Sequence, residues 1–298
     1  MADLSWDINT ASEKLLVELC NKLIKEDKII GGCFGGDRVV RLSDNIAAKF
    51  GLGVTASEAK TQEFAYRNVD PNIVHIPQVY RYFDWEDFGY LFMEYVPGRQ
   101  LNELDLDENV DIIPRVAKIV EHLGTIQGGQ LPGPIGGGMP EGYLWGDDGA
   151  RTTFTCVADM EAWLNKRLAI QDKSIDLSSH PLVLCHMDLC RRNMILKEDN
   201  TISLLDWGCS GFYPRYFEFA TLSFMMPYDE NYETPLIQAT ATLLDWTEDE
   251  KGLISILKLA RAVALRYSLE TENKYGLPED FQSWRRSSPM LSRSPSPS

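Results

Sequence analysis

Along the first hundred residues the apolar positions change period several times. From Thr10 to Lys28, Leu15, Leu16, Leu19, Leu23 and Ile24 recur at helical spacing and predict an amphipathic helix. Strand-like runs follow at Lys28–Ile30, Arg38–Leu42 and Ile46–Phe50, punctuated by the glycines of residues 31–36. Thr55 and Glu58 make a capping box that opens a helix to about Asn68, and two more strands are expected at Pro77–Phe83 and Tyr90–Tyr95. Helix, three strands, helix, two strands describes one small sheet with a single helix set within its meander.

After Pro97-Gly98 the texture changes. Helical patterning covers Ile112–Ile126 and Val157–Gln171, and a second capping box, Thr247 with Glu250, opens a long helix to about Lys274. Between the first two helices, residues 128–142 hold seven glycines and three prolines, which excludes a regular element. Such a stretch reads either as a flexible connector or as a loop shaped around a ligand. Beyond Gln282 the chain turns to Ser, Pro and Arg, a composition that buries no core and predicts disorder.

Composition narrows the class. With 298 residues, 44% hydrophobic and 24% charged, the chain has a globular balance that excludes wholesale disorder and coiled coil, and it fits one large domain or two lobes. The formal net charge of −15 disfavours non-specific contact with nucleic acid or anionic membrane. The six cysteines show neither a CxxC pair nor zinc-ligand spacing, the N-terminus lacks a secretion pattern, and no apolar run approaches membrane-spanning length. A reducing, cytoplasmic setting is expected, with no nucleic-acid or membrane partner.

The chemistry concentrates in Leu184–Leu196, which reads His186-x-Asp188-x4-Asn193, with Asp206 thirteen positions further on in Leu204-Leu-Asp-Trp-Gly208. The runs 193–196 and 201–205 suit a hairpin that would bring Asn193 and Asp206 to the same end, just beyond Asp188. Phosphoryl transfer needs this grouping: one carboxylate to accept or orient the proton of an attacking hydroxyl, and two oxygen ligands to hold Mg2+ against nucleotide phosphates. Asp188 suits the first part, Asn193 and Asp206 the second.

These motifs resemble the kinase-like superfamily. His186-Met-Asp188 in place of His-Arg-Asp, Asp206-Trp-Gly208 in place of Asp-Phe-Gly, and the absence of Ala-Pro-Glu point to the aminoglycoside phosphotransferase and choline kinase-related group. More narrowly, the chain resembles the phosphotransferase enzyme family that shares this domain, roughly from Arg38 to Leu222. The resemblance implies an α+β, bilobal protein-kinase-like fold: a small antiparallel-sheet N-lobe with one main helix, and a larger, mostly helical C-lobe. The expected division is 1–95, 96–281 and a disordered tail at 282–298. It also implies ATP and Mg2+ as cofactors and a small-molecule hydroxyl as the acceptor of the γ-phosphate. A nucleotide-binding pseudokinase is the alternative. A protein kinase is a third reading, disfavoured by the missing Ala-Pro-Glu and the missing glycine-loop signature.

Further site residues follow from the resemblance. Lys49, at the end of the third strand, is placed to hold phosphates and to pair with a glutamate on the next helix. Glu63 is preferred for that pairing because the capping box would occupy Glu58, the second candidate. Backbone groups near Glu94 and Val96 would meet the adenine. The turn at residues 31–36 either lies over the phosphates or is a mere hairpin. His186 is expected to orient the catalytic loop. One of Arg191 and Arg192 would neutralise phosphate charge, unless it is solvated or carboxylate-paired. On the acceptor side, Trp207, Tyr213, Tyr216 and Glu218 offer aromatic faces and a carboxylate suited to an amine-bearing alcohol, or they pack the next helix.

Overall fold

A computed structural model describes residues 6–32, 36–224 and 229–266. The expected continuation of the last helix to Lys274, the Ser/Pro/Arg tail and positions 33–35 of the glycine turn lie outside these residues.

The N-lobe opens with helix α1 (Glu13–Lys25), whose first turn is capped by Ser12. An antiparallel sheet follows, built from β1 (Ile29–Gly32), β2 (Arg38–Arg41), β3 (Ile46–Gly51), β4 (Val79–Trp85) and β5 (Phe88–Glu94) in the order β1-β2-β3-β5-β4. Helix α2 (Ala56–Asn68) lies between β3 and β4 in the chain. Strand alternation decides where the chemistry goes. Ala48 and Phe50 of β3 join the cluster formed with Leu16, Val17 and Cys20 of α1, where Phe50 and Phe83 stack on either side of Tyr90 at 5.2 and 5.5 Å. Lys49, between them, takes the opposite face of the sheet.

The C-lobe contains α3 (Ile112–Leu123), α4 (Val157–Leu168), α5 (Tyr216–Leu222), α6 (Glu230–Leu243) and α7 (Glu248–Arg266) around one apolar core that includes Trp145, Trp163, Phe217 and Leu257. Two small antiparallel ladders thread it: β7 (Leu182–Cys185) with β10 (Gly211–Pro214), and β6 (Arg99–Gln100) with β8 (Met194–Leu196) and β9 (Ile202–Leu204). The capping box that opens α7 is reciprocal. Glu250 N–H donates to Thr247 Oγ1 at 3.2 Å, and Thr247 N–H donates to Glu250 Oε2 at 3.1 Å. Among the described residues no helix is long and apolar enough to cross a membrane.

The glycine- and proline-rich stretch 128–142 is not a loose connector. It is a packed strap. Gly133 and Phe212 exchange backbone hydrogen bonds at 3.0 and 2.9 Å, and Ile135 N–H donates to Thr61 Oγ1 of α2 at 3.0 Å. Gly142, at φ +97°, passes so close to Cys209 that a Cβ would stand 2.6 Å from its Sγ. The glycines therefore serve close backbone approach, and the strap ties α2 to the segment that follows Asp206.

Candidate active site

The β8–β9 hairpin forms where the alternating pattern placed it, pairing Met194 with Leu204. Leu205 N–H donates to Asn193 O at 2.8 Å, so Asn193 and Asp206 emerge from the same end of the ladder. Asn193 then reaches back to the loop, where its Nδ2 donates to Asp188 O at 3.0 Å and to Asp188 Oδ2 at 2.8 Å. That commits the amide nitrogen and leaves the Asn193 carbonyl oxygen as its outward acceptor. The other oxygen of Asp188, Oδ1, is buried with no hydrogen-bond partner among the described residues. A buried carboxylate oxygen without a donor is costly in an apolar surround, and Glu58 Oε2 across the site is in the same state.

Opposite the loop stands Lys49. Its Nζ donates to Glu58 Oε1 at 2.7 Å and to Asp206 Oδ1 at 2.9 Å. The Lys49–Glu63 pairing expected from sequence is therefore corrected. Glu63 lies on the exposed side of α2, paired with Arg67 one turn along. Thr55 Oγ1 does accept from Glu58 N–H at 3.2 Å, but the Glu58 carboxylate turns to the lysine instead of returning to the cap. An ion pair inside a buried site outweighs a neutral capping hydrogen bond. Burial opposes the charge on Lys49, but attraction to Glu58 and Asp206 holds its pKa above the ordinary value. Burial likewise pushes Glu58 up to about 7, against the pull of Lys49. Asp206 is kept below its ordinary value, because Lys49 outweighs the burial that would raise it. Asp206 adopts φ +64° and Met187 φ +68°, an unusual backbone region for such residues that marks both ends of the site.

Behind Asp188 the loop rests on buried side chains. His186 is fully buried; its Nε2 meets Leu205 O at 2.9 Å, and its Nδ1 accepts the Asp188 N–H at 3.3 Å. Burial lowers its pKa, so the ring is neutral and orients the loop. Ser210 Oγ donates to His186 O at 2.8 Å. Glu218, at the start of α5, accepts the N–H groups of His186 and Met187 at 2.5 and 2.8 Å. Its burial raises its pKa to about 7. Glu218 is 2% exposed and Trp207 is 0% exposed, edge-on to His186 at 4.8 Å. Tyr213 and Tyr216 are buried as well. Of the two readings open for these four residues, acceptor contact and packing, the structure shows packing: they lie beneath the loop, and Glu218 and Trp207 support it from behind.

The two arginines diverge. Arg191 is pinned by Asp229 at 2.6 and 3.0 Å and by the carbonyls of Leu101 and Leu104, each at 3.1 Å. It braces the loop, with four of its five N–H donors committed to the chain. Arg192 stands beside Asp188 Oδ2 at 3.5 Å and Tyr143 Oη at 3.0 Å. Tyr143, just past the strap, carried no motif and was missed in the sequence.

At the β5 end, Glu94 N–H is committed to Gln78 O at 2.8 Å, whereas the Val96 N–H meets no backbone acceptor among the described residues. The Glu94 side chain pairs with His75 at 3.2 Å, and His75 meets Ser203 of β9 at 3.0 Å. His75 thus links the β5 end to the hairpin that presents Asp206, a contact between segments far apart in sequence that no local pattern announces.

Among the described residues no three His, Cys, Asp or Glu side chains converge as a self-sufficient metal cage. The donor set of one carboxylate, Asp206, and one amide oxygen, Asn193, instead fits Mg2+, which is bound through one or two protein ligands together with phosphate oxygens.

A family model described as "phosphotransferase enzyme family" matches residues 47–250. No curated protein matches the sequence. Among solved structures, a thermostable mutant of aminoglycoside phosphotransferase APH(4)-Ia in its apo form aligns with a TM-score of 0.54 at 16% identity, covering 85% of this chain and 89% of that one. The same enzyme in a ternary complex with AMP-PNP and hygromycin B gives 0.50 at 14% identity, over 85% and 88%. A protein assigned as a fructosamine-3-kinase from Haemophilus somnus 129PT gives 0.52 at 13% identity, over 82% and 87%. At these identities the likeness is one of fold.

Proposed function

Since the chain belongs to the phosphotransferase enzyme family and has its kinase-like fold, we propose that it transfers the γ-phosphate of ATP to a hydroxyl of a small molecule, with Mg2+ bound by Asn193 and Asp206. The observation that carries this reading is the divided state of Asp188. One oxygen is fixed by Asn193, and the other is buried and unclaimed.

Asp188 Oδ1 receives the proton of the acceptor hydroxyl as its oxygen bonds to the γ-phosphorus and the bond from that phosphorus to the leaving ADP breaks. His186 and Glu218 hold the loop so that Oδ1 keeps this aim. Lys49 uses two of its three N–H donors on Glu58 and Asp206 and directs the third at phosphate. Bound Mg2+ would offset the phosphate charge that repels an incoming oxygen. The Val96 N–H is the free donor for adenine, with Glu94 supplying its backbone from a position fixed by Gln78 and His75. The nucleotide would thus lie between a small lobe ending near Tyr95 and the larger one that follows it.

Calorimetric titration with ATP, with and without Mg2+, tests the nucleotide half. Asp206→Ala should lose about 10–100-fold in the Mg2+-dependent affinity, the scale of one charge-assisted contact. Unchanged affinity would remove Asp206 from the metal.

A further inference from the structure

Arg192 is the one arginine of the catalytic loop whose donors are not consumed by the chain. Its Nη2 lies 3.0 Å from Tyr143 Oη and 3.5 Å from Asp188 Oδ2. Among the described residues Nε and Nη1 meet no acceptor, and the side chain is 52% exposed, against 16% for Arg191. Tyr143 is itself fixed, because Arg261 Nε of α7 donates to its carbonyl at 2.6 Å. Burial, reinforced by the nearby Asp188 carboxylate, keeps the phenol above its ordinary pKa and so protonated. The guanidinium is therefore steadied through one nitrogen, with the rest of its planar fork turned to solvent beside the Asp188 carboxylate. That fork matches the spacing of carboxylate and phosphate oxygens.

We propose that Arg192, held by Tyr143, binds an oxyanion of the acceptor, and that the acceptor is a hydroxy compound carrying a carboxylate or phosphate ester a few bonds from the reacting hydroxyl. This rests on the phosphotransferase reading above and adds the charge of the substrate. Two observations favour it over an amine-bearing acceptor. The aromatic residues that would have formed a cation-binding face, Trp207, Tyr213 and Tyr216, are buried. Arg192 stands 3.5 Å from Asp188 Oδ2, and its charge offsets the repulsion that an anion would meet beside that carboxylate.

The test is transfer from γ-labelled ATP by the full-length protein to four acceptor sets: hydroxycarboxylates, phosphomonoesters with a free hydroxyl, amino alcohols and uncharged polyols. Labelling of the first or the second set is expected, and which one identifies the oxyanion. Arg192→Gln should raise the acceptor KM about 10–100-fold while leaving the KM for ATP unchanged, and Arg192→Lys, which keeps the charge but loses the fork, should fall between. Transfer confined to amino alcohols would overturn the proposal and point to the acidic groove lined by Asp105, Asp107, Asp229 and Glu230. Transfer confined to uncharged polyols would overturn it too. So would a loss of kcat at constant acceptor KM, which assigns Arg192 to the transferred phosphoryl group. A protein that binds Mg-ATP yet labels no set refutes the phosphotransferase reading itself, and this proposal with it.

Discussion

Arg191 and Arg192 are neighbours in sequence and belong to different halves of the site. Behind Asp188, the chain supplies the partners of Arg191, His186 and the Glu218 carboxylate. In front of it, Asp188 Oδ1 and two nitrogens of Arg192 are left without partners among the described residues. The groups behind set the position of the loop; the charged groups in front keep donors and acceptors open to a ligand. The difference predicts that substitutions behind the loop cost stability, whereas substitutions in front cost transfer and leave stability nearly untouched.

The largest expected effect behind the loop is at Glu218. Replacing it with Leu strands two buried N–H groups and should cost about 2–6 kcal/mol in denaturant unfolding. Its ionisation adds a pH signature. A carboxyl whose folded pKa is raised from 4.5 to about 7 favours folding below pH 4.5 and loses that contribution as pH rises through about 7. The stability of the wild type relative to Glu218→Gln should therefore fall by on the order of 3 kcal/mol between those limits. A pH-independent difference would show that Glu218 titrates normally. Smaller effects separate the arginines. Arg191→Met breaks a partly buried bidentate pair and should cost about 1–3 kcal/mol, whereas Arg192→Met should stay within about 0.5 kcal/mol of wild type. Equal losses at both would erase the distinction between the two halves.

Two Thr-x-x-Glu segments show how far the sequence could be read. Thr247-x-x-Glu250 folds as its pattern says, with both hydrogen bonds of the box made. Thr55-x-x-Glu58 carries the same signal and keeps only one of them, because Lys49 comes within 2.7 Å of the glutamate from another strand. Local patterning found both helix starts. It could not weigh a partner supplied by tertiary structure, and so it preferred Glu63. The strands, the hairpin and the Asp188, Asn193 and Asp206 grouping were legible because period and spacing are properties of short segments. The strap was not, since glycines that allow close packing look the same in sequence as glycines that allow freedom. Tyr143 and His75 were missed for a related reason. Their roles come from contacts with residues 49 and 128 positions away.

The claim beneath all of this is that Asp188 activates a hydroxyl for phosphoryl transfer. Its most direct test is labelled-ATP transfer into a small-molecule extract, comparing the wild type with Asp188→Asn. A labelled product whose formation falls about 10²–10⁴-fold in the variant, while Mg-ATP still binds, is the predicted result. Undiminished product from Asp188→Asn would contradict it.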